Sequence, residues 1–227
     1  MKLNEKVAII TGAGSGIGRS LAQRFAANGA RAVICTDLNG VRADETAQLI
    51  GSQASAETLD VADEAAINAI VARVEQQYGG IDVFVSNAGY GRPGGLEMPT
   101  VEWQKMMNVH TWSHLAAARA VLPGMLARGS GYLLSTSSAA GLLSQFDSGA
   151  YAVSKHALVD VVQAGGDGIL EPEVVADLCI EAMADGRFLV LPHAEVQTYF
   201  QRKATDYDRW LSGMRRMRNR FLGATAG

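Results

Sequence analysis

Cysteine is scarce in this chain. Two stand among 227 residues, at 35 and 179, far apart and each in an apolar setting. That spacing argues against a disulfide-stapled fold and for buried thiols in a reducing compartment. There are four histidines, and no Cys/His group has metal-ligand spacing, so no metal is expected. No stretch of 18 apolar residues occurs, so nothing is predicted to span a membrane. The start, Met1-Lys2-Leu3-Asn4-Glu5-Lys6, carries charge but lacks the apolar run and cleavage site of a secretion signal, and a cytoplasmic location is expected. The net charge of −3 provides no global basic field for nucleic acid or anionic lipid. Arg215, Arg216, Arg218 and Arg220 form a local basic run, read as the solvated face of a helix.

Hydrophobic residues make up 48% and charged residues 19%, as in a globular protein, and the length suits a single domain with a sizeable core. Short β-rich runs at Val7–Thr11, Arg31–Thr36, Ala56–Leu59, Ile81–Ser86 and Gly131–Ser135 alternate with helical periodicity at Gly16–Asn28, Val41–Ser52, Asp63–Tyr78 and Val101–Arg128. Asn28-Gly29, Gly79-Gly80 and Gly129 follow helical runs as stops. Strand–helix alternation with continuously apolar strands predicts an α/β fold: a Rossmann-type doubly wound parallel sheet in three α/β/α layers, one domain over 1–227. Ligands of such sheets bind beyond the carboxyl ends of the strands. The last third reads as a helix at Glu173–Asp185, a short strand at Phe188–Leu191 and one long helix or two over Val196–Phe221. Tyr199, Phe200, Tyr207, Trp210, Leu211 and Met214 there suggest core or subunit packing rather than a substrate wall.

Thr11-Gly12-Ala13-Gly14-Ser15-Gly16-Ile17-Gly18 lies between the first predicted strand and the first predicted helix. Glycines allow a tight turn and close approach to a pyrophosphate, and the helix start offers free N–H groups. Asp37 follows Gly18 by 19 residues, at the end of the second strand. A carboxylate there can accept from both ribose hydroxyls and would repel a 2′-phosphate, which points to NAD rather than NADP.

From these residues onward the sequence resembles the short-chain dehydrogenase/reductase family. The resemblance covers about residues 5–160 and rests on Thr-Gly-x-x-x-Gly-Ile-Gly at 11–18, Asp60-Val61, Asn87-Ala88-Gly89, Ser138 and Tyr151-Ala152-Val153-Ser154-Lys155, in that order at successive strand ends. It implies that Gly12, Ser15, Gly16, Ile17, Gly18 and Asp37 hold NAD, that Asp60 and Val61 contact the adenine, and that Asn87, Ala88, Gly89 and Val109 line the cofactor. It further implies that Tyr151 is the catalytic acid/base, Lys155 its activator and ribose ligand, and Ser138 the group that holds the substrate oxygen. The residue chemistry agrees. Tyr151 and Lys155 are four apart and share a helix face. A phenol titrates near ~10 in water, and an adjacent ammonium favours its ionised form. A hydroxyl such as that of Ser138 can hydrogen-bond an oxygen as charge develops on it.

The expected activity is hydride exchange between NAD(H) and a secondary alcohol or ketone, with Tyr151 exchanging the proton. The competing expectation is a catalytically silent NAD-binding sensor or scaffold, which would not need Ser138, Tyr151 and Lys155 together. A homodimer or homotetramer is expected. Tyr90, Leu142, Leu143 and Phe146 are the candidate pocket residues and suggest an apolar substrate.

Two departures from the family pattern stand out. His110, in Asn108-Val109-His110, occupies the place of a family asparagine that holds a relay water. Either His110 substitutes in the proton relay, with its own titration, or the relay is impaired. After Lys155 the chain lacks the expected sixth strand and Pro-Gly turn, running instead through Val159–Gly168 to Glu171-Pro172-Glu173. Several tens of residues are missing against the family length. Two pieces joined across an omitted loop are expected rather than true loss of a strand, which would expose the sheet interior. A Cα–Cα gap far above ~3.8 Å between residues 156 and 168 would mark such a join.

Overall fold

The computed structural model describes residues 1–143, 147–158, 172–187, 190, 194–210, 212, 213, 215 and 216. Five parallel strands, β1 (Val7–Thr11), β2 (Ala32–Asp37), β3 (Ala54–Thr58), β4 (Val83–Ser86) and β5 (Tyr132–Ser135), lie in the order β3-β2-β1-β4-β5. β1 pairs with β2 from Val7 against Ala32 to Thr11 against Thr36, and with β4 from Ala8 against Val83 to Ile10 against Val85. The strand order reverses about β1, so a crevice opens between the carboxyl ends of β1 and β4.

Helices cover both faces. On one, α1 (Gly16–Ala27) and α2 (Gly40–Ile50) pack with α7 (Pro172–Asp185), through Leu21, Phe25, Ala47, Val175 and Cys179. On the other, α3 (Glu64–Tyr78) and α5 (Ser113–Arg128) bury Ile67, Ile70, Val74, Val121 and Met125. The three-layer doubly wound expectation therefore holds. β1 is buried along its whole length, as a central parallel strand must be. Start signals in the sequence act as caps: Asp63 accepts from the N–H groups of Ala65 and Ala66 at 2.9 and 3.2 Å, and Asn39 accepts from that of Arg42 at 3.3 Å. Gly79 ends α3 in the left-handed region.

The helical run expected over Val101–Arg128 is not continuous. It is α4 (Thr100–Met107), a π-turn over Asn108–Trp112 in which the Ser113 N–H reaches the Asn108 carbonyl, and then α5. The extra residue of a π-turn shifts the helix face, and side-chain periodicity does not reveal it. A 3₁₀ turn (Ala139–Gly141) follows β5, and α6 (Gly149–Ala157) carries Tyr151 and Lys155.

In the last third, α7 matches the helix expected at Glu173–Asp185, and α8 (Ala194–Thr205) begins the predicted terminal helix. Phe200 and Tyr207 are exposed at 45% and 55%, so the core alternative of the packing expectation does not hold for them. Tyr207 stacks on Trp210 instead. Arg215 and Arg216 are exposed, as a solvated face requires. The Val159–Gly168 stretch and the possible join lie outside the described residues. So do Leu211, Met214, Arg218 and Arg220, and the Phe188–Leu191 strand all but Val190. Both cysteines are buried, and burial pushes their thiols up, to about 12 for Cys35 and about 11 for Cys179. No helix among the described residues is long and apolar enough to cross a membrane, and none of their acidic, His and Cys side chains cluster as metal ligands.

Candidate active site

The glycine-rich turn closes on the β4 end. Gly12 has φ +65°, and a Cβ there would stand 2.8 Å from the Ala88 Cα. A Cβ on Gly18 would stand 2.1 Å from the Gly12 carbonyl oxygen. Side chains are therefore excluded at both positions, and the backbone stays bare where a pyrophosphate would lie. Asp37 anchors the other side: Oδ2 accepts from the Gly14 N–H at 3.0 Å and Oδ1 from the Asn39 N–H at 2.9 Å. Its carboxylate lines the cavity next to the turn.

Asn87 ties β1 to β4. Its backbone N–H donates to Thr11 Oγ1 at 2.9 Å and its side-chain amide to the Thr11 carbonyl at 3.0 Å. Thr136 then extends the chain of contacts toward α6. Its hydroxyl donates to Asn87 Oδ1 at 3.0 Å, and its carbonyl accepts from Lys155 Nζ at 3.0 Å. Lys155 is buried, and desolvation lowers its ammonium to about 8. Its Nζ lies 5.9 Å from the centre of the Tyr151 ring.

A single cavity of about 800 Å³ joins these parts. Gly12, Ser15, Gly16, Ile17, Asp37, Asp60, Val61, Asn87, Ala88, Gly89 and Val109 line it, along with Ser138, Tyr151 and Lys155. Gly18 lies beneath the turn and shapes it without lining the space. Ser138 caps the 3₁₀ turn: its Oγ accepts from the Ala140 N–H at 3.1 Å, which leaves its own hydrogen free to donate into the cavity. The cradle, the carboxylate at its rim and the buried ammonium together fit a dinucleotide.

His110 sits apart from the cavity wall, fully buried in the π-turn. Its Nε2 accepts from the Tyr90 N–H at 3.1 Å. That leaves the ring hydrogen on Nδ1, which donates to Ser154 Oγ at 2.8 Å, and Ser154 donates in turn to the Tyr151 carbonyl at 2.8 Å. Burial first, and the Lys155 charge second, lower the imidazole to about 3, so it is neutral at physiological pH. Both ring nitrogens are engaged, which leaves neither to bind a relay water. The ring links the Gly89–Tyr90 loop to α6.

Sequence reading missed four hydroxyl residues here. Thr136, Ser137 and Ser148 line the cavity, and Ser154 joins His110 to Tyr151. Thr136 directly follows β5, so its place at a strand's carboxyl end was an available signal. Leu38 and Leu59 also line the cofactor end. At the other end of the cavity the candidate pocket residues separate. Tyr90 lines the cavity, but Leu142 is buried elsewhere and Leu143 is not on the wall, while Phe146 lies outside the described residues. The Leu142 carbonyl accepts from Lys203 of α8, which turns this segment toward the terminal helix.

Residues 6–176 match the family model described as short chain dehydrogenase. The chain belongs to this family of oxidoreductases, which bind a nicotinamide cofactor. It is 34% identical over 188 residues to galactitol 2-dehydrogenase of Agrobacterium fabrum, covering 82% of this chain and 73% of that one. It is 30% identical to 1-deoxy-11-beta-hydroxypentalenate dehydrogenase of Streptomyces exfoliatus, covering 93% of this chain and 92% of that one. That second alignment runs over 253 positions, more than the 227 residues here, so the relative has residues without a counterpart in this chain. Among solved structures, a short chain dehydrogenase/reductase from Burkholderia phymatum in complex with NAD superposes with a TM-score of 0.85 at 23% identity, over 92% of this chain and 96% of that one. A metagenomic short-chain oxidoreductase in complex with NADP gives 0.76 at 30% identity, over 85% and 100%.

Proposed function

We propose that the protein oxidises secondary alcohols, or reduces the matching ketones, with NAD(H). The observation that carries this reading is the convergence of Ser138, Tyr151 and Lys155 on the cavity that also holds the glycine turn and Asp37. A silent dinucleotide binder would need only the second pair. Relatives named galactitol 2-dehydrogenase and meso-2,3-butanediol dehydrogenase support an alcohol substrate.

When bound, the nicotinamide supplies the hydride chemistry. The protein's own groups do the rest. Ser138 donates its hydroxyl hydrogen to the substrate oxygen and orients the carbinol. Tyr151 exchanges the hydroxyl proton at its phenol oxygen, which has no hydrogen-bond partner among the described residues. Lys155 sets a positive charge 5.9 Å from the centre of the Tyr151 ring and would offer its remaining N–H groups to ribose hydroxyls. His110, neutral and doubly hydrogen-bonded, acts as a positioning residue that fixes the turn of α6 bearing Tyr151. Asp37 would accept from the adenosine ribose hydroxyls and repel a 2′-phosphate, which supports NAD over NADP.

The test is NADH and NADPH formation over a panel of secondary alcohols. The expected kcat/KM favours NAD by roughly a hundredfold, since placing like charges together costs several kcal/mol. Equal use of both would overturn the cofactor assignment. NAD binding with no turnover across the panel would favour the silent binder.

A further inference from the structure

We propose that Ser148 is a specificity residue that holds a second hydroxyl of the substrate, so that the preferred class is a vicinal diol or polyol rather than a simple secondary alcohol. This rests on the alcohol-oxidising reading above. Ser148 lines the same cavity as Ser138 and Tyr151, and it stands at the N-cap of α6, with Tyr151 three residues on. A serine at that position ordinarily turns its oxygen back to cap the helix N–H groups. Ser148 does not: its side chain makes no capping bond, and among the described residues its hydroxyl has no hydrogen-bond partner at all. Among the described residues nothing competes with a ligand in the cavity for that hydroxyl.

Its position is held from outside the helix. The Gly149 N–H donates to the Gly94 carbonyl at 3.0 Å, the Gly94 N–H donates to the Asp147 carbonyl at 2.9 Å, and Trp103 packs against Gly149. The Gly94 loop thus fixes the Ser148 backbone without occupying its side chain. Ser148, Ser138 and Tyr151 share one cavity wall. A second substrate oxygen, on the carbon next to the reacting one and bonding over about 2.8 Å, would find the Ser148 hydroxyl on that wall. One oxygen engages Ser138 and Tyr151 and reacts, while the other engages Ser148 and stays unchanged. Tyr90, the remaining large side chain on this wall, also ends in a hydroxyl, whereas Leu142 is buried away from it.

Two measurements on the full chain test this. The first is the ratio of kcat/KM for 2,3-butanediol to that for 2-butanol with NAD. The second is the ratio of their dissociation constants for the NADH-loaded protein, read by NADH fluorescence, where both partners are already reduced and cannot react. Wild type is expected to favour the diol about tenfold in each, as one added hydrogen bond allows. Ser148→Val removes the hydroxyl and Ser148→Thr keeps it at nearly the same volume, so the preference should vanish in the first and survive in the second. Equal ratios in Val and Thr variants, or no diol preference in wild type that still oxidises 2-butanol, overturn the role of Ser148 alone. Absence of turnover with either alcohol in wild type that binds NADH overturns the alcohol-oxidising reading itself, and this inference with it.

Discussion

Replacing Lys155 with methionine separates what the site costs the fold from what it does for chemistry. Burial lowers the ammonium from 10.5 to about 8, which corresponds to about 3 kcal/mol against the charged form in the folded protein. Methionine removes that penalty but strands the Thr136 carbonyl, which accepts from Nζ at 3.0 Å, at a cost of about 1–2 kcal/mol. The variant should therefore be about 1–2 kcal/mol more stable than wild type at pH 7 without cofactor. The sign of the pH dependence follows from the same shift. Below pH 8 the lysine is protonated in both states, so the full penalty is present. Between about 8 and 10.5 the unfolded chain binds the proton and the folded one releases it, so wild-type stability climbs with pH. The methionine variant lacks this climb, and its advantage should shrink by about 2 kcal/mol between pH 7 and pH 9.5. Urea unfolding of both proteins across that range is the assay. Other groups titrate alike in both, so their difference isolates residue 155. A difference that stays constant with pH would refute the buried-charge argument. The variant is also expected to lose turnover, since the positive charge beside Tyr151 is gone.

Tyr151→Phe should lower kcat by about 10²–10⁴ while NADH affinity, read by fluorescence, changes little. His110→Ala should destabilise by about 2–4 kcal/mol, because it opens a cavity and leaves the Tyr90 N–H and Ser154 hydroxyl without their partner. Because His110 is neutral down to about pH 3, the pH profile of the folded variant's turnover between 6 and 8 should match wild type; a displaced profile would return His110 to the proton path. Asp37→Ser should narrow the preference for NAD over NADP at least tenfold in kcat/KM, and an unchanged ratio would show that another residue sets it. Gly18→Ala should abolish cofactor binding in calorimetry, since its Cβ would meet the Gly12 carbonyl at 2.1 Å.

The cofactor half of the site was legible because its chemistry is local. Gly12 and Asp37 answer to a backbone or charge requirement at the end of an apolar strand and Gly18 to one in the first turn of α1, and β1 and β2 are buried enough to read as strands. The edge was less clear: β3 runs Ala54–Thr58, two residues earlier at its start than the Ala56–Leu59 expectation, because its mix of half-buried and exposed residues, with none fully buried, weakens the apolar signal. The π-turn at Asn108–Trp112 was not legible, since an extra residue in a helix changes which side chains meet without changing their types. His110 was therefore read against the family pattern as either a substitute in the relay or the mark of an impaired one, while its two hydrogen bonds depend on that turn and on Ser154. Thr136, Ser148 and Ser154 were invisible for a related reason. A hydroxyl residue has no distinctive spacing, and only the fold decides whether it caps, links or faces a cavity.

The central claim is hydride transfer dependent on Tyr151. Its most direct test is incubation of the protein with NAD and a secondary alcohol deuterated at the carbinol carbon, followed by mass spectrometry of the nucleotide. Deuterium in the NADH formed by wild type, and its near absence with Tyr151→Phe that still binds NADH, is the expected result. Tight NAD binding with no deuterium transferred from any alcohol tried would contradict the account.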